Sequence, residues 1–316
     1  MSTAKDVMVD NQQAQAFLTN QLALNPTEVA LIGEGAWSRC FGFRQGDEEL
    51  VIRFGNYVED FEKDQRAHAY AGPDLPIPAV LDMGEAFGGY YAISTRAYGM
   101  PLESVDAAQW HALVPAVAAA LEAMRMADLS ATSGFGGWGA DGQASEASWS
   151  SRLLRVNEDD PNQRTHGWRA RLATLPAGEE AFTWGYDLLQ QVATDDVPRC
   201  LLHCDLINRN VLVQGERITG IFDWGCSVYG DHLYELAWFD FWGPWTPQLN
   251  MHLLRTELER RWAVTGYVPH DIDARLMACY LHIGLDHLAY NAYLGDWPSL
   301  LATAKQMKSL VESIFT

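Results

Sequence analysis

Hydrophobic and polar positions change period several times along the chain. Between residues 10 and 24 the spacing is helical: Phe17, Leu18 and Leu22 share one face, and Asp10 stands where an N-cap belongs. "VALIGEGAWSRCFGFRQGDEELVIRFG" then predicts strand, Gly-containing turn, strand, "QGDE" turn, strand. "DFEKDQRAHAYAG" predicts a short helix, which "LPIP" must stop because two prolines that close together forbid helix. "AVLDMGEAFGGYYAIST" predicts a hairpin turning at Gly88-Gly89. The opening part of the chain therefore predicts antiparallel strands with one or two helices.

Beyond the connector "RAYGMPLESV" the pattern becomes helical. Residues 105–127 are rich in Ala and Leu, and Pro115 marks a kink or a late helix start. The 130–145 stretch "SATSGFGGWGADGQAS" holds five glycines and predicts loop. Helical patterns follow near 146–156, 165–173 and 178–194. Two strand-like runs, "NVLV" and "ITGIFDW", are then separated by "QGE". Helices resume near 231–242, 247–264, 270–294 and 297–314. The expected architecture is α+β in two lobes: a small β-rich lobe over residues 1–96, and a larger helical lobe over 97–316 that holds one β-hairpin. A length of 316 residues agrees with two lobes or two domains.

Composition narrows the class. The chain is 48% hydrophobic and 20% charged, as in ordinary globular proteins. It has no apolar run of membrane-spanning length, and "MSTAKDVMVDNQQAQ" lacks a signal peptide's apolar segment, so a soluble cytoplasmic protein is expected. The five cysteines are odd in number and show no CxxC, which argues against a disulfide framework or a zinc site; "CLLHC" reads as buried cysteines in a core strand. A formal net charge of −19 repels nucleic acid and steers cations toward the surface. The expected partner is a cationic small molecule, with neither nucleic acid nor membrane involved, and the expected state is a monomer.

Candidate chemistry concentrates in "LLHCDLINRNVLVQGERITGIFDWG", residues 201–225. Carboxylates and amides are poor strand residues. Placing Asp205, Asn210 and Asp223 around one hairpin makes sense only if they converge on a ligand. Magnesium takes oxygen donors, one or two of them carboxylates, while substrate phosphates supply others. The spacing of His203, Asp205 and Asn210 matches the H-R-D-x-x-x-x-N loop of protein kinases, and "FDW" stands where those enzymes carry Asp-Phe-Gly. "GEGAWSRCFGF" can cover phosphates with backbone N–H groups, and no Walker loop is present.

Together "HCDLINRNVLV", "ITGIFDWGCSVYGDHLYELA", "ADLSATSGFGGWGADG" and "HIGLDHLAYNAYLGD" resemble the aminoglycoside phosphotransferase family, most of all its hygromycin-acting branch. The resemblance implies a protein-kinase-like two-lobed fold and Mg2+-dependent transfer from ATP or GTP to an antibiotic hydroxyl. It further implies that Asp205 is the catalytic aspartate and that Asn210 and Asp223 hold the metal. Ser38 would sit in the phosphate-covering loop. Arg53 would stand where most kinases have lysine, and Asp64 where the partnering helix carries glutamate. Backbone atoms around Ser94, Thr95 and Ala97 would hold adenine, and Asp231, Glu235 and Asp286 are candidate substrate contacts.

Plainer readings stand beside these. His203 bonds backbone near its loop, Asp231 caps its helix, and Glu235 is a solvated helix residue. Asp286 is a core or surface residue without a ligand, and "WFDFWGPW" is core. Another small hydroxylated acceptor, of choline, homoserine or sugar type, fits the same fold, and so does a nucleotide-binding scaffold without turnover.

Overall fold

The computed structural model describes residues 9–35 and 37–314; Ala36, within "GEGAWS", lies outside them. Helix α1 (Asn11–Asn20) starts where Asp10 and Gln13 exchange side chain-to-backbone hydrogen bonds of 2.8 and 2.9 Å. It ends short of the expected residue 24, yet Leu22 still packs on the core that Phe17 and Leu18 enter. The strands β1 (Thr27–Glu34), β2 (Ser38–Gln45) and β3 (Glu48–Gly55) follow, then helix α2 (Val58–Ala67) and the hairpin β4 (Val80–Ala86) and β5 (Gly89–Thr95). They form one antiparallel sheet in the order β1-β2-β3-β5-β4. Alternation along β3 sends Ile52 and Phe54 into the small core and leaves Arg53 on the opposite face, between Cys40 and Ala92.

The second half contains β6 (Met100–Pro101), α3 (Ala107–Arg125), β7 (Phe135–Trp138), β8 (Ala144–Glu146), α4 (Trp149–Leu154), α5 (Trp168–Leu172) and α6 (Pro176–Val192). Next come β9 (Cys200–Leu202), β10 (Val211–Gln214), β11 (Arg217–Ile221), β12 (Val228–Gly230), α7 (Leu233–Trp242), α8 (Met251–Thr265), α9 (Ile272–Leu294) and α10 (Trp297–Ser313). Pro115 lies inside α3, whose start is fixed by an Asp106–Gln109 capping box. Among the described residues the buried side chains form a small core under the first sheet and a larger one in the helical part. Ala67, Leu75 and Ile77 belong to the larger core.

Two expectations need correction. The glycine-rich 130–145 stretch is not simply loop, and the helical lobe holds more than one hairpin. Its β6, β10 and β11 form one sheet, and β8, β7, β12 and β9 form another. The glycines there permit close strand approach. Gly134 has φ +74°, and a Cβ on it would lie 2.1 Å from the carbonyl oxygen of Ala144. No helix among the described residues is long and apolar enough to cross a membrane.

Candidate active site

The 203–210 loop leaves β9 and enters β10, so its polar residues emerge beside the hairpin. Asp205 Oδ2 accepts from Asn208 Nδ2 at 3.0 Å and from Asn210 Nδ2 at 3.1 Å, and Asn210 Nδ2 also reaches the Asp205 carbonyl at 2.9 Å. With its amide nitrogen so engaged, Asn210 has its own side-chain oxygen left to offer a ligand. The Phe222 N–H donates to the Asn210 carbonyl at 3.1 Å, and this bond brings Asp223 to the same place. The Asp223 side chain remains 44% exposed.

His203 sits beneath the loop, buried and edge-on to Trp224 at 4.7 Å. Burial lowers its pKa to about 4, so the ring is neutral at pH 7 and donates through Nε2 to the Phe222 carbonyl at 3.0 Å. This is the plainer reading: the histidine ties the two halves of the motif together.

Three non-glycine residues here are left-handed: Cys204 (φ 64°), Arg209 (φ 65°) and Asp223 (φ 64°). Such conformations cost about 1–3 kcal/mol each and persist only where the surroundings impose them. An acidic side chain from elsewhere in the chain does so each time. Glu235 Oε1 accepts the N–H groups of His203 and Cys204, Glu103 Oε1 accepts that of Arg209, and Asp64 Oδ1 accepts that of Trp224. Glu103 is in turn held by Gln248, which donates to its carbonyl. No local pattern in the sequence marks Glu103 or Gln248 for this task.

The substrate roles assigned to Asp231 and Glu235 do not fit their positions. Asp231 is 1% exposed and forms a buried two-pronged pair with Arg275, while also accepting the Leu233 N–H at 3.0 Å. Glu235 is 3% exposed and spends Oε1 on the loop backbone. Both carboxylates are turned into the core, because a solvent-facing one could not organise buried N–H groups. Asp286 is exposed on α9, and the Cys226 thiol feels its charge together with those of Asp205 and Asp223. Within "WFDFWGPW", Trp238, Phe239 and Phe241 are core, as the plainer reading has it, but Trp245 is half exposed.

The two lobes meet through Arg53. Its Nη2 pairs with Asp64 Oδ2, and its Nη1 lies 3.2 Å from Asp223 Oδ1. Burial alone would disfavour the guanidinium charge, but Asp64 and Asp223 more than offset that, and the pKa rises. Burial lifts the Asp64 carboxyl to about 6 although Arg53 pulls the other way. On α2, Asp60, Lys63 and Asp64 lie at i, i+3 and i+4 and share one face. Lys63 donates to the carbonyls of Gly225 and Ser227 at 2.8 and 3.1 Å. The helix is thus tied directly to the segment after Asp223.

Asp205 titrates high. Burial raises its pKa to about 7, hydrogen bonds from Asn208 and Asn210 oppose the rise, and the charge of Asp223 adds to it. A poised carboxylate beside an exposed carboxylate and an amide oxygen can orient a hydroxyl and accept its proton. It can do so next to a cation held by the other two. Ser38 opens β2 at the end of a turn closed by the 2.9 Å Gly35 N–H to Ser38 carbonyl bond. Ser94 and Thr95 end β5. The Thr95 hydroxyl is occupied, accepting the Ala79 N–H at 3.0 Å, and Ala97 abuts Gly220 of β11.

A model of the phosphotransferase enzyme family matches residues 28–268, a span that holds both the Arg53–Asp64 pair and the 203–223 loop. The chain belongs to this family. It is 30% identical over 295 residues to hygromycin-B 4-O-kinase of Escherichia coli, covering 91% of this chain and 81% of that protein. A thermostable mutant of the aminoglycoside phosphotransferase APH(4)-Ia has been solved in a ternary complex with AMP-PNP and hygromycin B. It superposes with a TM-score of 0.81 at 30% identity, over 95% of this chain and 98% of that one. The spectinomycin phosphotransferase APH(9)-Ia, in complex with ADP and spectinomycin, superposes with a TM-score of 0.60 at 14% identity, covering 98% of each chain, and shows the fold alone. The kinase-like α+β fold expected for this phosphotransferase is therefore the one it has.

Proposed function

We propose that the protein transfers the γ-phosphoryl group of a nucleoside triphosphate to a hydroxyl of hygromycin B and so confers resistance. The observation that carries this reading is the match, over nearly the whole chain, to a structure holding AMP-PNP and hygromycin B together. In this reading residues 1–96 form the nucleotide lobe and 97–316 the catalytic and acceptor lobe, acting as a cytoplasmic monomer.

Asp205 places the acceptor hydroxyl in line and takes its proton. Its pKa near 7 suits that task at neutral pH. Asn210 and Asp223 would hold Mg2+; their free amide oxygen and exposed carboxylate fit a cation that prefers oxygen donors. When bound, the cation neutralises charge building on the phosphoryl oxygens. Arg53, fixed by Asp64, directs its remaining donors toward the α- and β-phosphates. The turn ending at Ser38 covers them, and backbone groups of Ser94, Thr95 and Ala97 face the adenine. Asp286 is exposed and, like Asp205 and Asp223, within electrostatic reach of the Cys226 thiol; in this reading it offers a carboxylate to an ammonium group of the antibiotic.

The test is a panel. Cells expressing the protein should resist hygromycin B and stay sensitive to kanamycin-type drugs. Purified protein with MgATP or MgGTP should add one phosphate to hygromycin B by mass spectrometry. Phosphate gained by another small hydroxylated compound but not by hygromycin B would replace the acceptor.

A further inference from the structure

The phosphate-covering turn is backed by a residue from the opposite lobe. Arg164 lies between α4 and α5, in a segment braced by its own carboxylates. Asp159 accepts the Gly167 N–H at 2.7 Å, and Asp160 accepts the Asn162 N–H at 2.8 Å. From there Arg164 reaches α2. Nη1 donates to Asp60 Oδ2 at 2.9 Å, and Nη2 donates to Asp60 Oδ1 at 2.8 Å and Glu59 Oε1 at 2.9 Å. Its guanidinium also lies over the Tyr57 ring at 3.6 Å and within 6.0 Å of the Trp37 ring, and the two rings meet edge to face at 5.7 Å. Trp37 immediately precedes Ser38, and its carbonyl is packed close against Gly55.

We propose that Arg164 is a positioning residue: it clamps Tyr57 and Trp37 together and so holds the Trp37–Ser38 start of β2 over the triphosphate. The inference rests on the reading of the turn that ends there as the phosphate cover. Arginine suits the role because one planar fork satisfies a carboxylate edge-on while stacking on rings face-on, which an ammonium cannot do.

Arg164→Gln should raise KM for MgATP by roughly 3- to 30-fold, the range a ring-stacked cation supports. It should leave KM for hygromycin B near its parent value and lower kcat by less than KM rises. Arg164→Lys keeps the charge and should recover part of the loss. Trp37→Leu should raise the nucleotide KM similarly, and the double variant should be little worse than either single one. Two results overturn the proposal: a lowered melting temperature with nucleotide KM unchanged, or losses that add in full in the double variant. If Arg164→Gln does not fold, Arg164→Lys, Trp37→Leu and their combination decide by the same criteria. Parent protein that neither binds MgAMP-PNP nor transfers phosphate would instead sink the functional reading. A competent parent with an unmoved Arg164→Gln KM sinks only the proposal for Arg164.

Discussion

Replacing Glu235 by glutamine changes the charge under the catalytic loop while nearly preserving shape. Oε1 of either residue can accept the N–H groups of His203 and Cys204. The other oxygen is buried without a partner, so the protonated acid and the amide face the same shortage there. Burial raises the pKa of Glu235 from 4.5 to about 7, against the pull of the two N–H groups. An acid with a raised folded-state pKa binds its proton more tightly folded than unfolded. Its contribution to stability is therefore fully present below the unfolded value. It declines as pH climbs from 4.5 to about 7 and is gone above that. The gap corresponds to about 3 kcal/mol, since each pH unit is worth about 1.4. Glu235→Gln should accordingly match the parent near pH 4.5 and exceed it at pH 8 by about 3 kcal/mol, or roughly 6–10 °C in melting temperature. The assay is a series of thermal melts from pH 4.5 to 8.5. Phosphate transfer should be largely retained, because the loop keeps its acceptor. Melting curves that run parallel across the whole range would refute the reasoning, since Glu235 would then not change protonation between them.

Three further outcomes follow from the same geometry. Asp205→Asn should lower kcat by about 10²–10⁴-fold while MgAMP-PNP binding stays near normal, and parental activity in this variant would mean that another residue takes the proton. Asp231→Asn should cost about 3–5 kcal/mol by leaving Arg275 buried beside a neutral partner, with urea unfolding as the check and an unchanged midpoint as the contrary result. Arg53→Lys and Asp64→Glu should each impair kcat/KM for the nucleotide, whereas the double change should recover about 0.5–3 kcal/mol of coupling, and strictly additive losses would mean that the pair does not act as a unit.

Much of the fold was legible because its elements announce themselves locally. The Asp10 and Asp106 caps, the Gly88-Gly89 turn and the long helical periodicities near the C-terminus all depend on neighbours within a few positions. The 130–145 stretch was misread for a related reason. Glycine signals backbone freedom, but the sequence does not say whether that freedom serves a loop or the close approach of strands such as β7 and β8. Only the partner strand decides, and β12 lies about ninety residues further on.

The site divides in the same way. The convergence of Asp205, Asn210 and Asp223 was legible because one hairpin carries all three, and their mutual spacing is itself the signal. The residues that hold them come from everywhere else: Glu103 precedes α3, Asp64 lies on α2, Glu235 on α7 and Gln248 before α8. The three carboxylates each accept a backbone N–H, and Gln248 donates to the Glu103 carbonyl; such contacts read nothing from the local sequence and leave no spacing behind. Glu235 was therefore weighed as a ligand or a solvated residue, when burial makes it neither. The same argument explains why this support is acidic. Three left-handed residues turn N–H groups away from any ladder, and an N–H buried without an acceptor costs about 1–3 kcal/mol. One carboxyl oxygen can take two such groups at once, as Glu235 does. Negative charge near the loop then comes at no loss of function only if cations answer it. Arg53 does so for Asp64 and Asp223. The backbone geometry of the loop and its appetite for cations thus arise partly from the same acidic side chains.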